Sequence, residues 1–188
     1  MSSTPLRLLV LSASFSYGLR DIFSSGLKRV TLSFFILEEL IALHLPLLHN
    51  HFTSNAISVH MFASGWFMTL FSSLNTLPLT SAARVWDLYI THGWCAVFRI
   101  VLALLRRVER GVGLGGPDNA NTNNAESGGG GAVVFDFSAT LEFLHRIPTR
   151  LVTPAETLVA EAFDPTFCPD VTPGLLRRIE AQFDEREG

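Results

Sequence analysis

Apolar side chains recur at helical spacing along most of this chain. They fall at positions i, i+3, i+4 and i+7, whereas the strict alternation of a β-strand is rare. The segment from Trp94 to Arg110 shows the pattern best, because its apolar residues share one face while Arg99, Arg106 and Arg107 lie elsewhere. With 188 residues, 48% of them hydrophobic, the chain can build the core of one domain. The sequence therefore predicts an all-α, multi-helix fold.

The apolar pattern and the capping residues set the expected helix boundaries. The predicted ranges are 26–45, 47–52, 58–73, 80–91, 94–110, 136–146, 154–163 and 172–185. Pro46 ends the first helix, because the residue before a proline avoids the helical conformation. The N-caps are expected at Ser58, Thr80, Thr153 and Thr172, with Pro154 and Pro173 at the first position of the last two helices. The third helix is apolar on all sides, so it is predicted to be buried and central.

Composition divides the chain into four parts. We predict an N-terminal segment at 1–16, a helical core at 17–110, a flexible insertion at 111–131 and a C-terminal helical lobe at 132–188. The insertion is rich in Gly and Asn and nearly free of large apolar side chains, so it cannot offset the entropy lost on ordering. It is expected to be dispensable for stability.

Charge and cysteine content exclude several classes of protein. Residues 1–110 carry nine Arg or Lys and five Asp or Glu, while 111–188 carry five and twelve, so neither half has the basic footprint of a nucleic-acid-binding protein. Two cysteines, Cys95 and Cys168, support neither a disulfide framework nor a zinc site and suggest a reduced intracellular protein. No apolar run reaches the roughly 20 uncharged residues of a membrane span, and the first 15 residues make a poor signal peptide.

The sequence contains no cofactor-binding motif in the structural context that the cofactor requires. Residues 111–116 fit G-x-G-x-x-G but follow a helix and enter a loop, whereas a dinucleotide site needs a preceding strand. His49 and His51 point about 200° apart on a helix, so they and nearby His44 are expected to be surface or cap residues rather than metal ligands. We therefore predict no cofactor and no metal.

Three further polar residues have ordinary structural explanations. Glu38 and Glu39 are adjacent rather than three or four residues apart, which is typical of the solvated edge of a helix. Ser64 has no base near it in the sequence, and a helical serine commonly bonds back to a carbonyl of the preceding turn. No catalytic residue is predicted among them.

Several blocks between residues 17 and 105 form a recognisable series. They are Tyr17-Gly-Leu-Arg-Asp-Ile-Phe23, Glu38-Glu39-Leu40, Leu45 to Phe52, His60 to Phe71 with Ser64-Gly65-Trp66-Phe67 inside it, Leu77-Pro78-Leu79, Arg84-Val85-Trp86-Asp87, Gly93 and Phe98 to Leu105. In order and spacing they resemble the later two thirds of the TBC domain, the GTPase-activating module that acts on Rab proteins. Gly65 departs from the pattern, since the family usually has glutamine there.

The resemblance implies a mechanism whose key residues this sequence lacks. TBC domains supply an arginine from Ile-x-x-Asp-x-x-Arg and a glutamine from Tyr-x-Gln, and an arginine of this kind accelerates GTP hydrolysis about 10³- to 10⁵-fold. Neither motif occurs here, and the only glutamine is Gln182. The chain is thus expected to be a fragment or degenerate member without the N-terminal part of the domain, and inactive as a GTPase activator. The matching motif residues are interpreted as structural: Ser64, Trp66, Phe67, Pro78, Arg84, Trp86, Asp87 and Gly93.

The implied partner is a Rab-type small GTPase, with no nucleic acid. The implied location is the cytoplasm, with peripheral attachment to endomembranes through the GTPase. The alternative is a non-catalytic helical scaffold that binds another protein through exposed apolar surface. Nucleotide-dependent binding of a Rab distinguishes the two hypotheses.

Overall fold

The computed structural model describes residues 27–72, 77–111, 136–145 and 154–187. Within these ranges the backbone forms eight α-helices and no β-strand, which confirms the all-α prediction. The helices are α1 (Lys28–His44), α2 (Pro46–Ser54), α3 (His60–Thr69), α4 (Leu79–His92), α5 (Trp94–Gly111), α6 (Phe137–His145), α7 (Ala155–Ala162) and α8 (Pro173–Glu187). The predicted N-terminal segment and nearly all of the predicted insertion lie outside the described residues, so the domain boundaries stay predictions.

Helix α5 is the centre of the fold. It packs against α1, α4 and α7, and every side chain from Val101 to Leu105 is fully buried. The prediction that the third helix is central is wrong, because α3 leaves Met61 and Met68 exposed by 44% and 37%. An apolar helix surface shows that a helix can be buried, but the packing of the other helices decides which side is covered.

The chain turns sharply between α1 and α2 at Pro46, where the sequence predicts the end of the first helix. Leu45, the residue before the proline, has φ −132° and ψ 61°, and the two helix axes meet at 119°. Within the described residues no single helix has the length and hydropathy to cross a membrane, although α1 and α2 together would meet these criteria across their bend.

Helix α3 ends four residues earlier than predicted. Leu70 and Phe71 follow Thr69 with φ 44° and 62°, in the left-handed region that L-residues seldom adopt. The amide of Phe71 donates a hydrogen bond to the carbonyl of Trp66 at 3.0 Å, which closes the end of the helix. Both side chains turn into the core, where they are 1% and 0% exposed, and this burial offsets the backbone strain.

The capping predictions hold for the last helix. The Oγ1 of Thr172 accepts a hydrogen bond from the amide of Leu175 at 3.3 Å, and Pro173 is the first helical residue. In α7, Pro154 occupies the N-cap rather than the first helical position, and Thr153 lies outside the described residues.

Thr80 is not an N-cap, contrary to prediction, whereas the Oγ of Ser58 accepts a hydrogen bond from the His60 amide at 3.4 Å and its carbonyl accepts one from the Met61 amide at 3.0 Å, as expected of an N-cap. Helix α3 begins after Val59, whose backbone is already helical, and α4 begins after Pro78. The carbonyl of Pro78 accepts the first helical hydrogen bond, from the amide of Ala82 at 2.9 Å. Pro78, whose ring fixes φ at −55°, is therefore the N-cap of α4, two residues before the predicted cap at Thr80.

Three arginines on the other face of α5 hold the C-terminal residues in place. They contact carbonyl, carboxylate and ring partners: Arg99 Nε with Val171 O at 3.1 Å, Arg107 Nε with Glu161 Oε2 at 2.8 Å, and the Arg106 guanidinium 4.4 Å from the Phe167 ring centre. Both faces of α5 are therefore covered, one by apolar core and the other by α7 and the connection to α8.

Helix α8 packs along α1. Phe183 contacts Phe35 with ring centres 5.5 Å apart, and Arg29 Nη1 lies 2.9 Å from Glu180 Oε1. The described C-terminal residues therefore pack on the same core as α1 to α5.

Candidate functional site

The Ser-x-Trp-Phe block lies in the middle of α3. Trp66 and Phe67 are 3% and 0% exposed, so their rings belong to the core. The hydroxyl of Ser64 donates a hydrogen bond to the carbonyl of His60 at 2.8 Å, the back-bonding expected of a helical serine. This block has no group in position for nucleophilic catalysis.

The Arg-Val-Trp-Asp block lies on α4 and divides between core and surface. Arg84 Nη1 is 3.6 Å from Asp87 Oδ2, the local pairing that an i, i+3 spacing favours, and both side chains are more than half exposed. Trp86 is half-buried and donates a hydrogen bond from Nε1 to Ser72 Oγ at 2.8 Å. The indole therefore joins α4 to the residues that follow α3.

A chain of aromatic rings connects the two blocks through the interior. The ring centres of Phe67 and Trp94 lie 6.3 Å apart, those of Trp94 and Tyr89 5.6 Å, and those of Tyr89 and Trp86 6.3 Å. Offset and edge-on contacts of this kind add about 0.5–1.5 kcal/mol each beyond the burial of area. The motif aromatics thus form one packed network.

Gly93 allows α4 and α5 to follow each other directly. Its φ of 66° and ψ of −151° lie in a region that only glycine adopts readily. Its amide donates to Tyr89 O at 2.8 Å and its carbonyl accepts from the Ala96 amide at 3.2 Å, so one residue ends the first helix and begins the second.

The histidines are dispersed and bind ordinary polar groups. His51 Nε2 lies 2.9 Å from Thr140 Oγ1, and His44 Nε2 lies 3.4 Å from Asp170 Oδ1. Burial lowers the pKa of both imidazoles, and for His44 the Asp170 carboxylate opposes part of that effect. In the described part of the chain no group of three or more His, Cys, Asp or Glu side chains could hold a metal ion.

The cysteines are unsuited to nucleophilic chemistry. Both are free thiols, and burial raises the pKa of Cys95 and raises the pKa of Cys168 to about 12. A thiol needs a lowered pKa to react as the thiolate at neutral pH. Cys168 belongs to the core, and the half-buried Cys95 packs against it.

Arg99, Gln182 and Arg20 are the residues considered in the sequence as substitutes for the family's fingers, and the structure describes the first two. Arg99 donates to Val171 O and lies over the Phe163 ring, with 5.6 Å between guanidinium and ring centre. Gln182 is exposed on α8, the last described helix. Arg20 lies outside the described residues.

A cleft of about 140 Å³ opens at the surface beside the α1–α2 bend. Its floor is made of the buried side chains Ile41, Phe52, Ile57 and Val59. Glu38, His49 and Thr53 form its rim, and the side chain of Glu38 is 46% exposed. Two blocks of the predicted series, Glu38-Glu39-Leu40 and Leu45 to Phe52, therefore contribute residues to one apolar cleft with a polar edge.

The sequence profile of the Rab-GTPase-TBC domain matches residues 7–111, more than half of the chain. The chain belongs to this family. The matched range contains the motif blocks of α3 and α4, which confirms the resemblance predicted from those residues. The Rab-GTPase-TBC match ends at α5, whereas the described structure continues through α6, α7 and α8.

Curated relatives of this TBC-domain chain are much longer proteins. The Rab GTPase-activating protein tbc-11 of Caenorhabditis elegans is 33% identical over 144 residues, which are 76% of this chain and 13% of that protein. The Ecotropic viral integration site 5 protein homolog of Homo sapiens is 40% identical over 90 residues, 48% of this chain and 11% of that protein. TBC1 domain family member 10B of Homo sapiens is 36% identical over 84 residues, 45% of this chain and 10% of that protein.

The sequence pattern does not predict the cleft, because it indicates for Glu38 a solvated helix edge and a place in the motif series but no pocket. One signal was available: between Glu39 and Arg84 the chain contains no Asp, Glu, Lys or Arg. Glu38 and Glu39 are the last charged residues before this long uncharged stretch. The spacing alone, however, does not show that α1 and α2 bend around Glu38.

Proposed function

We propose that this chain binds a Rab-type small GTPase through its TBC domain, in the regulation of membrane traffic, and that it does not itself accelerate GTP hydrolysis. Its place of action in this proposal is the cytoplasmic face of endomembranes, reached through the GTPase. The observation that carries the proposal is the TBC family match over residues 7–111, with its motif aromatics packed into one core. Two relatives whose names include Rab GTPase-activating protein support the choice of partner.

The proposed lack of acceleration rests on the chemistry of GTP hydrolysis. A GTPase activator gains its rate effect from an arginine that neutralises charge on the transferred phosphoryl group and from a glutamine that orients water. The sequence has neither finger motif, and Arg99 is held by the Val171 carbonyl. Binding energy that is equal in the ground and transition states does not raise the rate of the chemical step.

Two measurements test the proposal together. A panel of Rab proteins is loaded with GTP or with GDP, and binding of the 188-residue chain is measured by titration calorimetry. We expect at least one Rab to bind in a nucleotide-dependent manner. Single-turnover hydrolysis is then followed with the chain in excess, beside the same chain joined to the finger-bearing N-terminal part of an active TBC domain. Only the joined protein should accelerate hydrolysis.

Each half of the proposal can fail separately. Acceleration of about a hundredfold by the chain alone would require an unrecognised finger, and Arg20→Ala would be the first variant to test. Absence of binding to every Rab would favour the alternative, a helical scaffold for another protein. The observation that favours this alternative is the exposure of large apolar side chains at Leu43, Leu47, Met61 and Leu79.

A further inference from the structure

The cleft beside the α1–α2 bend combines two features that select one kind of ligand group. Its floor is entirely apolar, built from Ile41 of α1, Phe52 of α2, and Ile57 and Val59 of the α2–α3 connection. Among the described residues that line the cleft, Glu38 is the one acidic side chain. Such a site accepts a group that is apolar along its length and cationic at its end.

The backbone around the cleft is specifically shaped. Ala56 has φ 54°, in the left-handed region, and the amide of Ile57 bonds back to the carbonyl of Phe52 at 2.9 Å. This turn places Ile57 and Val59 opposite α1, where they are 7% and 2% exposed. The floor is therefore preformed, and a side chain entering it would not have to order the backbone first.

The carboxylate of Glu38 has no close cationic partner among the described residues. Its ion-pair contact is with His60, whose Nδ1 lies 4.0 Å from Glu38 Oε1 and 2.8 Å from Ser58 Oγ. The other rim groups, His49 and Thr53, supply no negative charge, and the Thr53 hydroxyl already donates to the His49 carbonyl at 2.9 Å. The negative potential of the cleft therefore comes from Glu38.

We propose that this cleft receives a lysine or arginine side chain presented by a bound protein, with the methylene stem on the apolar floor and the cationic head on Glu38. Long basic side chains bury their stems along apolar surfaces while the charge stays at the edge, and a carboxylate at that edge forms a charge-assisted hydrogen bond. The inference rests on the proposed function only in that a Rab-type GTPase would be the protein presenting the side chain.

The cleft can be tested without any GTPase. The probes are n-butylguanidinium and n-butylammonium, compared with the uncharged n-butanol, and the readout is the NMR shift of the Ile41, Ile57 and Val59 methyl groups. We expect both cations to shift these methyls in a saturable manner and n-butanol to do so about fivefold more weakly, the order of effect of a partly exposed ion pair. Glu38→Gln should abolish the preference for the cations. Glu39→Gln, one residue away and outside the cleft, should retain it.

The second arm measures binding of a GTP-loaded Rab to the same variants. We expect Glu38→Gln to weaken it about fivefold and Glu39→Gln to leave it unchanged. If a Rab binds the parent and both variants equally, the cleft proposal is wrong while the proposed function stands. If no Rab binds but the cations still shift the cleft methyls, the proposed function fails and the cleft remains a cation-selective site. Equal shifts by n-butanol and the cations would overturn the cleft proposal outright.

Discussion

Trp86 donates a hydrogen bond from its indole Nε1 to the Oγ of Ser72 at 2.8 Å, and through this bond α4 holds the segment that follows α3. The two residues come from different parts of the TBC motif series, since Trp86 belongs to the Arg-Val-Trp-Asp block and Ser72 follows the Ser-x-Trp-Phe block by five residues. The bond lies beside Phe71, whose left-handed backbone already turns the chain at this point. The motif tryptophan thus fixes the exit from α3.

Removing either partner of this bond should destabilise the domain by a similar, modest amount. Ser72→Ala and Trp86→Phe are each expected to lower the free energy of unfolding by about 0.5–1.5 kcal/mol, the usual value for one neutral hydrogen bond. The double variant should lose less than the sum of the two, because both changes remove the same bond. Urea unfolding of the four proteins measures this, and strictly additive losses would show that the bond contributes nothing.

Two glycines should respond to alanine in opposite directions. Gly65 lies in the middle of α3, where an added Cβ would meet nothing within 4 Å, so Gly65→Ala should raise the free energy of unfolding by about 0.5–1 kcal/mol. Gly93 has φ 66° and ψ −151°, so Gly93→Ala should lower it by about 1–3 kcal/mol. Thermal unfolding of both variants beside the parent tests the contrast. A loss of stability in Gly65→Ala would mean that this face of α3 is covered.

Acid should destabilise the fold through two histidines. Burial lowers the pKa of His51 and of His44 below the ordinary value of 6.5. The unfolded chain therefore binds more protons than the folded one between the lowered pKa and 6.5, so stability is complete above pH 6.5 and falls as the pH drops below it. We expect His51→Gln and His44→Gln each to flatten the pH dependence of the unfolding free energy between pH 7.5 and 5. The same slope in all three proteins would assign the effect to other groups.

The sequence predicted what depends on local pattern and missed what depends on packing. Helix α5 was predicted to within one residue because its apolar stripe and the glycine before it are local signals. The end of α3 was missed because Leu70 and Phe71 adopt left-handed conformations that only their burial in the core explains. The same limit applies to the cleft, because Glu38 and Ile57 meet only through the bend at Pro46 and the turn at Ala56.

The arginines of α5 show the same distinction. Their positions away from the apolar stripe were predicted, but the pattern cannot tell a solvated arginine from one covered by a second layer. Arg107 is 8% exposed because α7 lies over it, and α7 is about fifty residues away along the chain. Only the tertiary contact reveals that this charge is structural.

Truncation of Trp66 should be among the most damaging single changes. The ring is 3% exposed and contacts Phe62 and Phe71, with ring centres 5.1 Å and 5.5 Å away. Trp66→Ala is expected to cost about 3–5 kcal/mol, a large share of the stability of a small domain. Met68→Ala, on the exposed face of the same helix, should change stability by no more than about 0.5 kcal/mol. A Trp66→Ala protein that unfolds at the parent's urea concentration would contradict the core placement of this ring.

The ion pair between Arg107 and Glu161 should couple the TBC-matched helices to the residues that follow them. Arg107 Nε lies 2.8 Å from Glu161 Oε2, and the two side chains are 10% and 36% exposed. Arg107→Met keeps most of the buried stem but leaves the carboxylate without this partner, so we expect a loss of about 1.5–3 kcal/mol, the range for a hydrogen bond to a charged group. Glu161→Gln retains an acceptor for the guanidinium and should cost less. The exposed Arg110→Met is the matched control and should stay within about 0.5 kcal/mol of the parent.

Hydrogen exchange provides the decisive readout, because in Arg107→Met the amides of α7 should lose protection before those in the middle of α5. If α7 and α5 lose protection equally, the pair supports the whole core rather than the attachment of α7.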